Sequence, residues 1–324
     1  MLLYVKSCLT GGKHMRVYEF ARKYDMTSKA VVALCAGLGV EVKAQSKLND
    51  EVLELLDERF GKGKDTEAQE GLKPVVVKKA KAKKTVVYVV TECEPIISVG
   101  ELGKAAAGYV QEFSNQATPV IVALPKYQVI TETYGNEIEW MMDLPVRVGN
   151  HEVRASIFKL VRGSITYLFV GNEYFFNREE IYGHEDDAER FSFFNRAILD
   201  VLPLIGTQIS EIIVNEWHTS MLPLMLKVDY VNHPYYSKVK TTLTIHNLEY
   251  QGWYDAKVLP DVLGISTHYY ENGLTRMGDS VNLLKSGIET AHKVVLTEVS
   301  AEQMKLSEMI SSGISGILEN KLAI

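Results

Sequence analysis

The stretch Thr91–Tyr109, TECEPIISVGELGKAAAGY, follows the apolar run TVVYVV at Thr85–Val90. An unbroken apolar run reads as a strand covered on both faces, as in a parallel sheet. After the loop come an alanine-rich helix and a second such run, PVIVAL at Pro119–Leu124. Strand, glycine-bearing loop, helix, strand is the opening unit of a doubly wound α/β fold. In such folds ligands bind beyond the carboxyl ends of the strands, and a helix N-terminus attracts anions. Gly100 and Gly103 stand where the backbone would approach a ligand closely. A tight strand-to-helix turn needs the same two glycines, so the spacing leaves both readings open.

Upstream, residues 61–84 (GKGKDTEAQEGLKPVVVKKAKAKK) read as a Lys-rich linker with few large apolar residues to bury. Its tract Lys78, Lys79, Lys81, Lys83 and Lys84 is a solvated tether or a weak polyanion contact. Residues 15–60 read as a small helical module. Val17, Phe20 and Ala21 have the spacing of one short helix. Thr27 or Ser28 caps a second, with Val31, Val32, Leu34 and Leu38. Val40–Lys43 is extended, and Asn49 or Asp50 caps a third helix carrying Val52, Leu53, Leu55, Leu56 and Phe60. Residues 1–14 read as a disordered leader, and Met15 is an alternative start.

Downstream, strand-like and helical runs alternate. Ile165–Val170 is an apolar strand leading into a polar, aromatic loop, GNEYFFNREEIYGHEDD. Ala188–Leu202 is helical, with Phe191, Phe194, Ala197, Ile198 and Val201 on one face. Glu211–Val214 is a strand ending in NEWHTS, with a helix over Met221–Leu226. Lys240–Ile245 is a strand ending in HNLEYQG. Val281–His292 reads as helix, Lys293–Thr297 as strand and Ser300–Met309 as helix, and no internal repeat is visible.

The 324 residues leave room for about two domains, and 46% hydrophobic with 23% charged residues is an ordinary globular composition. A net charge of −6 argues against general nucleic-acid affinity. Cys8, Cys35 and Cys93 are odd in number and far apart, which fits a reducing compartment and neither a disulfide framework nor a zinc site. No signal-cleavage pattern is seen, and no apolar run reaches the ~18 residues that span a membrane. A cytoplasmic protein without membrane or specific nucleic-acid partners is expected.

Several strands end in polar residues, which a parallel sheet places on one rim. His218 and His246 would then share a crevice with Gly100 and Gly103, although a histidine at a strand end also serves as a structural hydrogen-bonder. Asp186 and Asp187 precede a helix and fit a capping role equally well. There is no GxSxG, HExxH, P-loop or CxxC pairing, so hydrolase, zinc and P-loop readings find no support.

At these residues a resemblance appears. VVYVVTECEPIISVGELGKAAAGYVQEF, VGNEYFFNREEIYGHEDDAERFSFFNRAIL, IIVNEWHTSMLPL, TIHNLEYQGWY and NLLKSGIETAHKVVLTEVSAE resemble, in order and spacing, bacterial glycogen synthase and plant starch synthase. The resemblance runs from Thr85 nearly to the end and implies that residues 85–324 are the Rossmann-like N-terminal half of a GT-B fold. It implies retaining, metal-independent transfer of glucose from ADP-glucose to an α-1,4-glucan, with no cofactor. Such chemistry needs donors aimed at the departing diphosphate and polar groups on the glucosyl hydroxyls. On the matching positions His218 and Asp186 would contact the transferring glucose, and Gly100 and Gly103 would let loop amides reach phosphate or sugar. Glu92, His246, Asn247, Tyr250 and Gln251 would complete the substrate-binding wall, and Lys285 matches the lysine of the family's FLKAG segment, a structural position. Separately, residues 15–60 resemble the N-terminal module of bacterial translation initiation factor two, which implies a docking role; a generic three-helix addition remains open.

Departures from the family pattern bear on activity. Ser98 stands in place of a lysine, Glu101 in place of a glycine and Lys104 in place of an aspartate; Glu216 replaces the aspartate of the DWH motif, and Ala301 the proline after the last strand. A desolvated Glu101 carboxylate beside a diphosphate would repel it by a few kcal/mol. The chain ends at Ile324, where the family continues into a nucleotide-binding domain. The expectation is a glycogen-synthase-like, acceptor-side lobe, weak or inactive alone, that binds α-glucan, with or without ADP-glucose, or docks to a complete synthase. The alternatives are the active half of a split or truncated synthase, completed by a missing-half chain, and a non-enzymatic interaction module.

Overall fold

The computed structural model describes residues 84–306 and 313–322, with 15–23, 28, 31–32, 35, 40, 42–43, 45–48, 52–53 and 56 of the N-terminal part. The chain divides into two compact units, residues 1–78 and 79–324.

In the first unit, β1 (Met15–Arg16) pairs antiparallel with β2 (Lys47–Leu48), with Met15 opposite Leu48. The helix α1 (Val17–Lys23) buries Val17, Phe20 and Ala21, the i, i+3, i+4 face read from the sequence. Its N-terminus is closed by Glu19, whose carboxylate accepts from the Arg16 backbone N–H at 2.7 Å. Val31, Cys35, Val52, Leu53 and Leu56 lie in helical backbone and complete a small core with Leu48. Within the expected extended piece, residues 40, 42 and 43 are neither helix nor strand. The strand pairing falls at Lys47–Leu48 instead, too short a segment to show a period. Thr27, Leu34, Leu38, Asn49, Asp50, Leu55, Phe60, the leader 1–14 and residues 61–83 lie outside the described residues.

In the second unit an eight-stranded sheet has the order β13-β9-β8-β3-β4-β7-β6-β5. Its parallel part comprises β3 (Thr85–Val89), β4 (Val120–Pro125), β7 (Ile165–Gly171), β8 (Ile209–Asn215), β9 (Lys240–Ile245) and β13 (Lys293–Leu296). β3 and β4 are buried along their whole length, which is why they read as unbroken apolar runs. The helices α2 (Glu101–Asn115), α5 (Asp187–Ile205), α6 (Glu216–Val228), α8 (Leu283–Thr290) and α9 (Glu298–Leu306) alternate with these strands.

Among the elements that the sequence reading did not give, a hairpin and a small sheet stand out. After α3 (Gln128–Tyr134), the long hairpin β5 (Glu139–Val148) and β6 (His151–Arg162) extends the sheet antiparallel to β7. β5 buries Leu144, Val146 and Val148 and exposes the residues between them, so it shows no continuous apolar run. The expected helix over Val281–His292 begins instead as a strand. β12 (Ser280–Asn282) pairs with β10 (Trp253–Tyr254) and β11 (Arg276–Met277), and α8 starts only at Leu283. Asn282 makes this switch, its side chain accepting from the Lys285 N–H at 2.8 Å as the helix cap.

The chain lays down β3, β4 and β7 outward in one direction, then returns to place β8 on the other flank of β3. That reversal is a topological switch point, and the crevice it leaves opens beyond the carboxyl ends of β3 and β8.

Candidate functional site

At the end of β3, Glu92 is 2% exposed. One carboxylate oxygen accepts from the backbone N–H of Val99 at 2.6 Å and of Gly100 at 3.0 Å; the other accepts from Tyr182 Oη at 2.7 Å. The Tyr182 hydroxyl also shares a hydrogen bond with Thr91 Oγ1 at 2.6 Å. The Gly100 amide, expected to face a ligand, is therefore held by the chain's own carboxylate.

The two glycines of the loop differ. A Cβ at Gly100 would meet nothing within 4 Å, whereas one at Gly103 would fall 2.4 Å from Ser98 Oγ. Gly103 sits inside α2, and its lack of a side chain lets the loop fold back onto the helix. Glu101 is the exposed partner of Lys104 at 2.9 Å. Water screens that pair, so the repulsion expected of a desolvated carboxylate is weakened here.

At the end of β8, Asn215 ties three strands together. Its side chain donates to the Val89 carbonyl at 3.0 Å, and its Oδ1 accepts from Tyr88 Oη at 2.9 Å and lies 3.0 Å from His246 Nε2. Glu216 follows with a left-handed φ of 59°, a conformation that costs a β-carbon residue energy. Its Oε1 accepts from the backbone N–H of His246 and, at 3.0 Å, of Asn247. Burial pushes this carboxyl up to about 7, against those two hydrogen bonds, which pull it down.

His218 lies one helical step further, with Trp217 stacked on its ring at 4.2 Å and Phe191 and Tyr182 at 4.8 and 4.9 Å. Burial, helped by the Arg190 charge, pushes the imidazole down to about 3. It is neutral at physiological pH and acts by hydrogen bonding; its buried Nδ1 has no partner among the described residues. His246 is pushed down to about 4 by burial and packs edge-on against Tyr109.

Asp186 precedes α5 without making a side-chain cap bond. Both its oxygens instead take a bidentate fork from Arg178 at 2.6 Å, and the Arg178 hydrogen bonds hold its carboxyl below the usual range. Its neighbour Asp187 accepts from the Gly183 N–H at 2.9 Å and pairs with Arg190 at 3.4 Å. Arg190 is fully buried and also donates to the carbonyls of Phe175 and Ile181, which fixes the loop between α4 (Glu173–Phe176) and α5.

Glu92, Tyr182 and His218 thus form one contiguous cluster, and His246 is tied separately through Asn215 to the end of β3. The other residues singled out stand differently. Asn247 accepts from Gln303 and Glu249 through its side-chain oxygen. Gln251 is buried, donating to the Leu248 carbonyl and accepting from Asn282. Tyr250 is exposed. Lys285 donates to the carbonyls of Gly273 and Leu274, which is an architectural contact. The sequence reading placed Asn215 at a strand end without giving it a role, and passed over Tyr182 and Arg178. Arg178 and Asp186 had a local signal, opposite charges flanking the polar loop; Tyr182 had none, because its partner Glu92 is 90 positions away.

An open sheet with helices on its faces and polar clusters at its switch point is a Rossmann-type lobe of the kind found in GT-B glycosyltransferases. Residues 85–320 match the family described as starch synthase catalytic domain, and the chain belongs to that family. Residues 13–63 match the N-terminal region of translation initiation factor IF-2. Glycogen synthase of Anoxybacillus flavithermus is 39% identical over 215 residues, covering 66% of this chain and 44% of that protein. Glycogen synthase of Alkaliphilus metalliredigens is 33% identical over 236 residues, covering 73% of this chain and 50% of that protein. The catalytic domain of starch synthase IV from Arabidopsis thaliana, solved bound to ADP and acarbose, superposes with a TM-score of 0.67 at 23% identity over 74% of this chain and 50% of that one. The chain thus spans about half the length of the relatives it matches.

Proposed function

We propose that residues 85–320 form the acceptor-side lobe of a glucan-elongating glucosyltransferase that draws on ADP-glucose in the cytoplasm. The observation that carries this reading is neutral His218 packed on the Glu92–Tyr182 clamp at the switch point of a family fold, with the ionised Asp186 at the start of the helix whose Phe191 touches His218. In this reading His218 and Asp186 contact the transferring glucose, one through a neutral imidazole and the other through a carboxylate aligned by Arg178. His246, Asn247 and Tyr250 line the crevice, while Gly100 keeps its approach open. Glu92 and Gln251 act through the backbone they hold. A neutral His218 suits a sugar hydroxyl, because it offers one donor and one acceptor without a charge to desolvate.

Ser98 puts no cation near the donor phosphates, and this lobe offers one wall of a cleft that needs two. Such a lobe on its own is therefore expected to retain glycogen and turn over slowly. Incubation with radiolabelled ADP-glucose and glycogen tests this, run beside affinity electrophoresis in glycogen-containing gels. Robust incorporation by the polypeptide alone would overturn the half-site reading. Unretarded migration in glycogen would overturn the glucan reading.

A further inference from the structure

Tyr182 joins the two halves of the candidate site. Its hydroxyl donates to Glu92 at 2.7 Å, and its ring lies 4.9 Å from that of His218. Burial pushes the hydroxyl up, so it keeps its proton and stays a donor. Yet Tyr182 sits in the loop between α4 and α5, where no ladder or helix fixes its backbone.

A buried ion pair fixes it instead. The carbonyl of Ile181 accepts from Arg190 at 2.5 Å, and the N–H of Gly183 donates to Asp187 at 2.9 Å. These groups belong to the two peptide planes on either side of the Tyr182 Cα. A peptide plane is rigid, so holding both sets the two soft dihedrals of Tyr182. Arg190 Nε and Asp187 Oδ1 close the circuit by pairing at 3.4 Å. Neither of these two buried atoms has a hydrogen bond among the described residues, so each compensates the other. The same guanidinium backs the opposite wall. It lies 4.8 Å from the centre of the Phe191 ring, which meets His218 at 4.8 Å and Tyr182 at 6.3 Å. Arg190 is fully buried, so it reaches a ligand only through the residues it holds.

We propose that Arg190, paired with Asp187, is a positioning residue of the candidate site: it fixes Tyr182 and Phe191, and through them the His218 ring and the Glu92 clamp. The consequence for glucan affinity rests on the reading above; the placement of the His218 ring does not.

The test compares two buried arginines of α5 in the full chain. Arg190→Lys keeps the charge but not the planar fork that serves the Phe175 and Ile181 carbonyls together. Arg196→Lys is the control, since Arg196 serves the Leu263 carbonyl and Asp229 instead. NMR signals of the His218 ring report its aromatic surroundings without ligand. Calorimetric titration with maltoheptaose reports the affinity of the folded protein, and urea unfolding reports stability separately. Arg190→Lys should shift the His218 signals and weaken maltoheptaose on the order of 3- to 10-fold, as expected when one member of a shared network is altered. Arg196→Lys should lose stability and leave both readouts unchanged. Asp187→Asn keeps an acceptor for Gly183 but not the ion pair; it should act as Arg190→Lys does, more weakly, and decides the matter if the lysine variant does not fold. Unmoved His218 signals, or moved signals with full maltoheptaose affinity, would overturn the positioning role and leave glucan binding standing. An unmodified chain that does not bind maltoheptaose would overturn the glucan reading, and the His218 signals would still decide the positioning.

Discussion

At the ends of β3 and β8 two buried glutamates each accept two consecutive backbone N–H groups: Glu92 from Val99 and Gly100, Glu216 from His246 and Asn247. Glu92 ties down the loop of its own strand and takes a third donor, the Tyr182 hydroxyl, on its second oxygen. Glu216 reaches across to the loop of the neighbouring strand from a strained φ, and both amides fall on one oxygen. At Glu216 the burial outweighs those two hydrogen bonds and raises the carboxyl to about 7. The contrast teaches that the glycine-loop clamp, with three donors against two, is the firmer of the pair.

The largest expected effect tests that ranking. Glu92→Ala removes a charged acceptor shared by three donors, although Tyr182 keeps Thr91 and the Val99 and Gly100 amides lie on exposed residues, and should cost about 2–4 kcal/mol. Glu216→Ala loses two hydrogen bonds but also relieves a buried carboxylate, and should cost about 1–3 kcal/mol. Urea unfolding followed by tryptophan fluorescence reads this selectively, because all three tryptophans, Trp140, Trp217 and Trp253, lie in the α/β unit. Equal costs would erase the distinction.

Protonation offers the next test. Glu216, raised from 4.5 to about 7, contributes stability that is fully present below pH 4.5 and is lost as pH rises through about 7. His218 and His246, lowered from 6.5 to about 3 and about 4, contribute stability that is present above pH 6.5 and lost on acidification. Between pH 4.5 and 6.5 the two trends oppose each other. Glu216→Gln keeps an acceptor oxygen and cannot titrate, so stability should fall more steeply on acidification than in the unmodified chain. The divergence over that window should be on the order of 2 kcal/mol. Parallel stability curves would show that Glu216 is not the compensating group.

A smaller effect sharpens the picture of the glycine loop. Gly103→Ala drives a methyl into Ser98 and should destabilise by about 1–3 kcal/mol. Adding Ser98→Gly should restore part of that loss, since the clash is with the serine side chain as well as its Cα. Full tolerance of Gly103→Ala alone would mean that the loop relaxes freely and that Glu92 does not hold it.

Much of the architecture was legible in residue order alone. The runs that became β3 and β4 are apolar almost throughout because both faces of a parallel strand are covered, and the buried ends of β7 and β8 show the same pattern. The rule that strand ends carry function pointed to His218 and His246 for the same topological reason. Folding in three dimensions decided the rest. The hairpin β5–β6 has one face in water and so lacked the apolar run, and β12 is a strand only because β10 and β11 flank it. Whether Gly100, Gln251 and Glu92 face a ligand or their own chain could not be read from the sequence, because the partners that claim them (Glu92, Asn282 and Tyr182) are brought near only by the fold. Periodicity reports which side of an element is dry; only tertiary packing fixes which polar atom meets which, and at this crevice those meetings set the charge of Asp186, the neutrality of His218 and the proton on Glu216.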